Sequence, residues 1–386
     1  MSTFYYLTRS YPCHEVTGGS LMREAQVVFF EKHFSNVIVV MPNYKTKKIV
    51  RIGNVIQIPF TRMQRFSSIL ERIGLFDDYL NSWVKSAYAY LVNRVTKADI
   101  LFSTCGGESS SIKLGFLLKQ VHKCKHIVNF HDPIDYSYVN GKMVDTSLHV
   151  NRDNLEKKYL SNVDFVITSS KLHKKSLIQK YPFLYDIITN VYFGYIDRSN
   201  SIPRLKDSVF RIAFSGSMTK LQKPELLLNA FESLNKDIDG IELLFIGNNR
   251  DGLVSKNKNV KFLKGMDRNM FIAFMNEYVD VGFVSLANEY LGVCVPSKIY
   301  EYINIGIPII GALPAGDAAE IINQKYGVCC SYKDPKCIIE SLKIMLDIKN
   351  YRSFKANIVR DNGIWSLDER FKEIPAILKN LSNDSS

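Results

Sequence analysis

Val293-Cys-Val-Pro-Ser-Lys-Ile-Tyr-Glu-Tyr-Ile-Asn-Ile-Gly-Ile-Pro308 is the stretch on which the reading of this chain turns. Pro296 and Ser297 suit the first positions of a helix, and Gly306 with Pro308 closes it, so the run predicts a short helix over Ser297 to Asn304. The first N–H groups of such a helix have no partner within it and carry the positive end of its dipole, which makes the start an anion site. Lys298 adds a full charge there. Glu301 lies one turn on, its Cα–Cβ bond tilted back toward the helix start, where a carboxylate can accept from both hydroxyls of a ribose. The same residues also admit a plainer reading, in which Glu301 only complements the dipole and Lys298 is solvated.

Outward from this run the chain alternates β-branched runs with helix-patterned ones, the signature of βαβ units and parallel sheet. Ile307 to Ala312 follows as a strand. Before it stand a strand Val281 to Leu286, a helix Met270 to Glu277, strands Val260 to Phe262 and Glu242 to Ile246, a helix Pro224 to Leu234 and a strand Phe210 to Ser215. The first half repeats the pattern. Strands are expected at Thr3 to Thr8, Val37 to Met41, Ile100 to Thr104, His126 to Phe130, Asp164 to Thr168 and Ile187 to Tyr192. Helices are expected from Ser20 to His33, over a long region Arg65 to Val95, and from Ser110 to Val121. Between Gly194 and Asp207 the pattern gives way to turn residues, and the domain boundary belongs there. The division is therefore residues 1–200, residues 201–364 and an amphipathic C-terminal helix in 365–386, an α/β chain of two doubly wound halves. Such sheets bind ligands beyond the carboxyl ends of their strands, so a cleft between the halves is expected.

At 386 residues two domains are the natural expectation. The formal net charge of +12 suggests attraction to something anionic, a phosphorylated small molecule, nucleic acid or an acidic membrane surface. Lysines cluster at Lys45, Lys47, Lys48 with Arg51, at Lys171, Lys174 and Lys175, and at Lys256, Lys258, Lys261 and Lys264. They also read as ordinary solvated faces. The seven cysteines, Cys13, Cys105, Cys124, Cys294, Cys329, Cys330 and Cys337, have neither CxxC nor metal-ligand spacing and are expected to be reduced thiols of a cytoplasmic protein. Met1 to Arg9 enters a strand-like run without the features of a signal peptide. The longest uncharged run, Tyr302 to Gly316, is too short and too rich in Gly and Pro to span a bilayer, so any membrane contact is expected to be peripheral. Phe66, Leu75, Phe76, Trp83, Tyr88 and Tyr90 favour a core-packed helix over a membrane-surface one. Asp237-Ile-Asp239 has DxD spacing but enters a strand rather than leaving one, and no metal or other cofactor is expected.

Pro296-Ser-Lys-Ile-Tyr-Glu-Tyr-Ile-Asn-Ile-Gly-Ile-Pro-Ile-Ile310 resembles the donor motif of retaining glycosyltransferases of the GT-B fold, the family 4 group known as glycosyl transferases group 1. Gly316-Asp-Ala-Ala-Glu-Ile-Ile322 resembles the segment that follows it. Phe214-Ser-Gly-Ser-Met-Thr-Lys-Leu-Gln-Lys-Pro224 resembles the glycine turn at which a basic residue meets the diphosphate, and Leu244 to Gly247 and Phe262 to Gly265 resemble the strand ends beside the nucleobase. The resemblance implies two Rossmann-like domains facing across a cleft, with the C-terminal helix packing back on the first. It implies donor contacts at Gly18, Gly19, Gly216, Ser217, Lys220, Lys223, Gly247, Gly265, Pro296, Ser297, Lys298 and Glu301. Two departures stand out. The family's earlier glutamate is replaced by Val293, and its turn arginine by Ser217, which leaves Lys220 or Lys223 to supply the charge.

In the first half, Gly18-Gly19 reads as a flexible turn after the first strand. Asn129-Phe-His-Asp-Pro-Ile134 resembles the Asp-Pro turn of related members, and His131 and Asp132 are the candidates for contact with the acceptor or the transferred sugar. Simple turn capping is the alternative. Gly106, Gly107 and Glu108 form a second post-strand turn that can border the acceptor. The expected reaction is metal-independent, retaining transfer of a sugar from a nucleotide diphosphate sugar to a hydroxyl of a glycan or lipid-linked acceptor, in bacterial surface polysaccharide synthesis, with no nucleic-acid partner. A sugar-nucleotide epimerase of the same architecture would need more carboxylates and histidines in these loops. A non-catalytic polyanion-binding protein would need a basic stripe interleaved with aromatics.

Overall fold

Alternating apolar runs and amphipathic helices give two separate sheets in the computed structural model, which describes residues 2–61, 70, 75–134, 138–139, 142–143, 146–197, 209–234, 239–323 and 325–383. One unit comprises Met1–Tyr192 together with Arg370–Ser386, and the other Phe193–Glu369.

The first unit runs β1 (Phe4–Leu7), α1 (Gly18–Glu31), β2 (Val37–Asn43), β3 (Val50–Ile52), β4 (Val55–Pro59), α2 (Asn81–Leu91), β5 (Ile100–Gly106), α3 (Ser110–His122) and β6 (Lys125–Asp132). A two-stranded pair, β7 (Tyr138–Val139) and β8 (Lys142–Met143), precedes α4 (Thr146–Leu160), β9 (Phe165–Thr168), α5 (Lys171–Lys180) and β10 (Ile188–Asn190). The sheet order is β10-β9-β6-β5-β1-β2-β4-β3, parallel except for β3 against β4. Strands buried on both faces must be apolar throughout. All four residues of β1 are buried. Trp83, Val84, Ala87 and Leu91 of α2 close one face of the sheet over Tyr5, Leu7, Val40 and Leu101.

The second unit runs β11 (Phe210–Ser215), α6 (Glu225–Leu234), β12 (Ile241–Ile246), β13 (Val260–Leu263), α7 (Arg268–Tyr278), β14 (Val281–Ser285), α8 (Ser297–Ile305), β15 (Ile309–Leu313), α9 (Asp317–Ile322), β16 (Gly327–Ser331), α10 (Pro335–Leu346) and α11 (Ile348–Asp361). Its six strands are all parallel in the order β13-β12-β11-β14-β15-β16, the doubly wound arrangement whose order reverses between β11 and β14. Leu227, Phe231 and Leu234 of α6 and Ile338, Leu342 and Met345 of α10 pack together on one face of this sheet. The chain then passes through α12 (Leu367–Phe371), where the first unit resumes, to α13 (Ile374–Asn383). Phe371 is fully buried and meets Phe29 and Phe30 edge-on, at 6.0 and 6.5 Å between ring centroids. The C-terminal segment thus packs on the first unit.

Several expectations are corrected. Of the region expected to be helical from Arg65 to Val95, Leu70 and Asn81–Leu91 are helical, with bends and a turn at 77–80 between them; residues 62–69 and 71–74, Phe66 among them, lie outside the described residues. Gly18 and Gly19 are not a flexible turn but the first two residues of α1, fixed by a capping box between Thr17 and Ser20. The single C-terminal helix is two, α12 and α13. Cys330 and Cys337 are not thiols: they form a disulfide with Cα atoms 5.9 Å apart, because Asp334 caps α10 on the Cys337 N–H and turns its first residues back on the end of β16. Asp237 and Ile238 lie outside the described residues.

Candidate functional site

The residues expected from the sequence to form an anion site come together where the strand order of the second unit reverses. β11 ends at Ser215, and Gly216 follows in the left-handed half of backbone space, φ 121°. Its N–H donates to Ile246 O at 2.9 Å, which ties the turn to the end of β12. Gly247, φ 138°, follows β12, and a Cβ there would lie 2.1 Å from Gly216 O. Only glycine permits that approach. Gly265 lies beyond β13, and a Cβ on it would sit 3.9 Å from Gly247 Cα. The three glycines named from the sequence therefore line up along adjacent strand ends.

α8 starts against this row. Pro296 precedes it with φ −59° and ψ 133° and gives no side-chain cap, while Gly306, φ 85°, ends it with N–H bonds to Tyr302 O and Ile303 O. Tyr302, fully buried, bonds Ser215 Oγ at 2.8 Å and fixes the helix to the end of β11. Lys298 Cε consequently lies 4.0 Å from where a Cβ on Gly216 would be. Its Nζ donates to Glu301 Oε2 at 2.9 Å and lies 4.6 Å from the centre of the Phe271 ring. Arg268 Nη1 donates to Glu301 Oε1 at 3.0 Å. Each Glu301 oxygen thus receives one cation and keeps further acceptor capacity.

Arg268 was not among the residues named from the sequence. Asp267 caps α7 through the Met270 N–H and sets Arg268 in the helix's first turn, close enough to reach α8. Its Nε and Nη2 are buried and have no hydrogen-bond partner among the described residues, and the nearest further carboxylate, Asp197 Oδ2, is 3.8 Å from Nε. The signal was a capped arginine just past Gly265. The named lysines fall elsewhere. Lys223, at φ 39°, lies with its Nζ 5.8 Å from the Tyr332 ring beyond β16, and Lys220 is exposed. Ser217 is half-buried in the turn itself.

The first unit builds a polar cluster at its own reversal point, between β1 and β5. Arg9 follows β1, and its Nη1 pairs with Glu108 Oε2 at 3.2 Å. Glu108 is buried, and the same oxygen accepts from the Gly106 N–H at 3.1 Å. Burial pushes the Glu108 carboxyl up, against the pull of Arg9 and Arg23. Arg23, on α1, is only 3% exposed and donates through Nη1 to Ser10 Oγ at 3.1 Å. His131, at the end of β6, bonds Gln26 Oε1 at 3.3 Å, and Ser169 Oγ donates to its carbonyl at 3.0 Å. Burial, then Arg23 and Arg9, hold the imidazole well below its usual pKa, so it is neutral at physiological pH. Asp132 is half-buried beside it. Gly18 and Gly19 are exposed, and a Cβ on Gly19 would lie 3.1 Å from Arg23 Nη1. The structure thus gathers Gly19, Gly106, Glu108 and His131 around two arginines absent from the sequence-based set. Among the described residues no group of three or more His, Cys, Asp and Glu could hold a metal ion, and no helix is long and apolar enough to cross a membrane.

Residues 197–359 match the family described as Glycosyl transferases group 1. Among solved structures the chain is similar to HepE of Anabaena in complex with UDP-glucose, with a TM-score of 0.68 at 12% identity over 98% of this chain and 100% of that one. It is similar to sucrose-phosphate synthase from Thermosynechococcus elongatus at a TM-score of 0.72 and 14% identity, covering 100% of this chain and 99% of that one. Lipopolysaccharide outer core galactosyltransferase WaaB in its apo form gives 0.65 and 12%, over 100% and 99%. No curated protein matches the sequence.

Proposed function

Because residues 197–359 match the glycosyl transferases group 1 model and the whole chain has the GT-B fold, we propose that this protein is a retaining, metal-independent glycosyltransferase. A nucleotide diphosphate sugar binds the second unit, and its sugar passes to a hydroxyl of a glycan or lipid-linked acceptor in bacterial surface polysaccharide synthesis. The observation that carries this reading is Lys298, at the uncapped start of α8 and beside Gly216, where the strand order reverses. The departing diphosphate would receive free N–H groups from α8, the dipole of that helix and the Lys298 ammonium, all in place before charge develops. Glu301 accepts the ribose hydroxyls, and Arg268 with Lys298 holds it oriented. The unpartnered Nε and Nη2 of Arg268 are donors for the nucleotide. His131 and Asp132 are proposed to face the transferred sugar or the acceptor. His131, neutral, can donate or accept there.

HepE's complex with UDP-glucose makes uridine nucleotides the first probes. A thermal-shift panel of UDP, GDP and ADP and their glucose conjugates should show one base raising Tm in proportion to affinity. Lys298→Ala and Glu301→Ala should each lower turnover by about 10²-fold or more, the size of effect seen when a preorganised charge-stabilising donor is removed. Wild-type rates in both variants would overturn the assignment. The product's anomeric configuration, read by NMR, tests retention. The exposed Lys45, Lys47, Lys48 and Arg51 support peripheral contact with the anionic inner face of the cell membrane, and cosedimentation with anionic vesicles that disappears when these four are neutralised is the expected result.

A further inference from the structure

A buried guanidinium is costly unless its N–H groups are hydrogen-bonded, and Arg23 leaves its Nε unmet among the described residues. Its side chain is 3% exposed, and among the described residues its one hydrogen bond goes to the neutral Ser10 Oγ and Nε has none. The Glu108 carboxylate lies within electrostatic reach of Arg23, but no hydrogen bond joins the two among the described residues, and Glu108 Oε1 is itself buried without a hydrogen-bond partner there. Glu108 Oε2 is taken by Arg9 Nη1 and the Gly106 N–H, and Asp78 caps α3 through the N–H groups of Ser109 and Ser110, at 2.8 Å each. Asp132, also within electrostatic reach of Arg9, is half-buried.

The free ends of the two guanidiniums meet over one residue. A Cβ on Gly106 would lie 2.8 Å from Arg23 Nη2 and 3.3 Å from Arg9 Nη2, so the missing side chain lets both guanidinium ends close on the Gly106 backbone. Gly106 ends β5 beside β1, where the strand order of the first unit reverses, the place at which such sheets take ligands. The buried Gln26 Nε2 of the same cluster also has no hydrogen-bond partner among the described residues.

We infer that Arg9 and Arg23, converging over Gly106, form the seat of a phosphate group carried by the acceptor. Guanidinium N–H groups approaching from two elements suit a tetrahedral oxyanion, and a phosphate would offer charged acceptors to the Nη2 ends of both Arg9 and Arg23. The seat itself stands on the first unit alone. Its assignment to an acceptor rests on the glycosyltransferase reading.

The test uses the full-length protein, saturated with UDP so that the second unit's anion site is filled, and inorganic phosphate titrated by calorimetry at constant ionic strength. Phosphate should bind the wild type, and Arg9→Gln and Gly106→Ala should each weaken it by about tenfold or more, the loss expected for one charge-assisted contact. Gly106→Ala changes no charge, and its methyl group meets only the mobile ends of Arg9 and Arg23, so it folds even where an Arg23 variant fails to. Lys298→Ala should leave phosphate affinity unchanged. Absence of phosphate binding, equal binding by Gly106→Ala and wild type, or competition between UDP and phosphate would each overturn the proposal. Two further arms separate the sources of phosphate: a hexose 6-phosphate competing with inorganic phosphate points to a free phosphosugar, and vesicles containing phosphatidic acid competing instead point to a lipid-linked one. Failure of the glycosyltransferase reading would show as no nucleotide-sugar turnover while phosphate binding persists.

Discussion

At the scale of single residues the second unit's candidate anion site depends on Gly247 as much as on any charged group. Its φ of 138° and the 2.1 Å that would separate a Cβ from Gly216 O leave no room for a side chain. Gly247→Ala should therefore lower stability by about 2–4 kcal/mol, through backbone strain and displacement of the Gly216 turn, and weaken nucleotide binding with it. Urea denaturation and nucleotide titration check the two effects. Gly247 was visible in the sequence because glycine after a strand end is distinctive. Arg268 and Arg23 were not, since a lone arginine on a helix reads as solvated until its burial is known.

Among elements, α3 shows a local preference overridden by a neighbour. Gly115 sits in the middle of that helix, where alanine would ordinarily be favoured by about 1 kcal/mol. A Cβ there would lie 2.1 Å from His126 Nε2 on β6. His126 is fully buried. Its Nε2 lies 2.9 Å from Ser103 Oγ, and that hydroxyl donates to Ser111 O at 2.8 Å, so Nε2 carries the proton and Nδ1 has no partner among the described residues. Burial, and next Lys119, lower the imidazole pKa to about 3. The unfolded chain takes up this proton near pH 6.5 whereas the folded chain does not until about pH 3, so the unfolded state binds more protons between those values. Stability is thus complete above about pH 6.5 and should fall as pH drops, by up to about 1.4 kcal/mol per unit from this group. Urea denaturation between pH 7 and 4 should show that slope, and His126→Gln should flatten it.

For the whole molecule the chain's return to its first unit is the feature with most consequence. Phe371, Ile374 and Leu378 are buried, Lys379 Nζ lies 5.7 Å from the Phe34 ring, and Arg370 lies 5.8 Å from the Tyr192 ring. Phe371→Ala removes the ring that meets Phe29 and Phe30 and should cost about 3–5 kcal/mol. Limited proteolysis should then cut the first unit faster, with the second unit's unfolding transition unmoved. Cleavage rates equal to wild type would contradict this account of the C-terminal segment.

By itself the sequence determined the α/β alternation, the doubly wound halves and the helix from Ser297 closed by Gly306, because these follow from local periodicity and from backbone preferences of Gly and Pro. It also supplied Lys298, Glu301 and the strand-end glycines, whose meaning lies in their position after a strand or at a helix start. Only the tertiary structure decided which cations reach them. Lys223 turns toward Tyr332, and Arg268 arrives from α7 to share Glu301 with Lys298. The pairing of Cys330 with Cys337 and the burial of Arg23 were likewise tertiary facts. Burial and partnership depend on what the rest of the chain brings within a few ångströms, and local pattern carries no record of that.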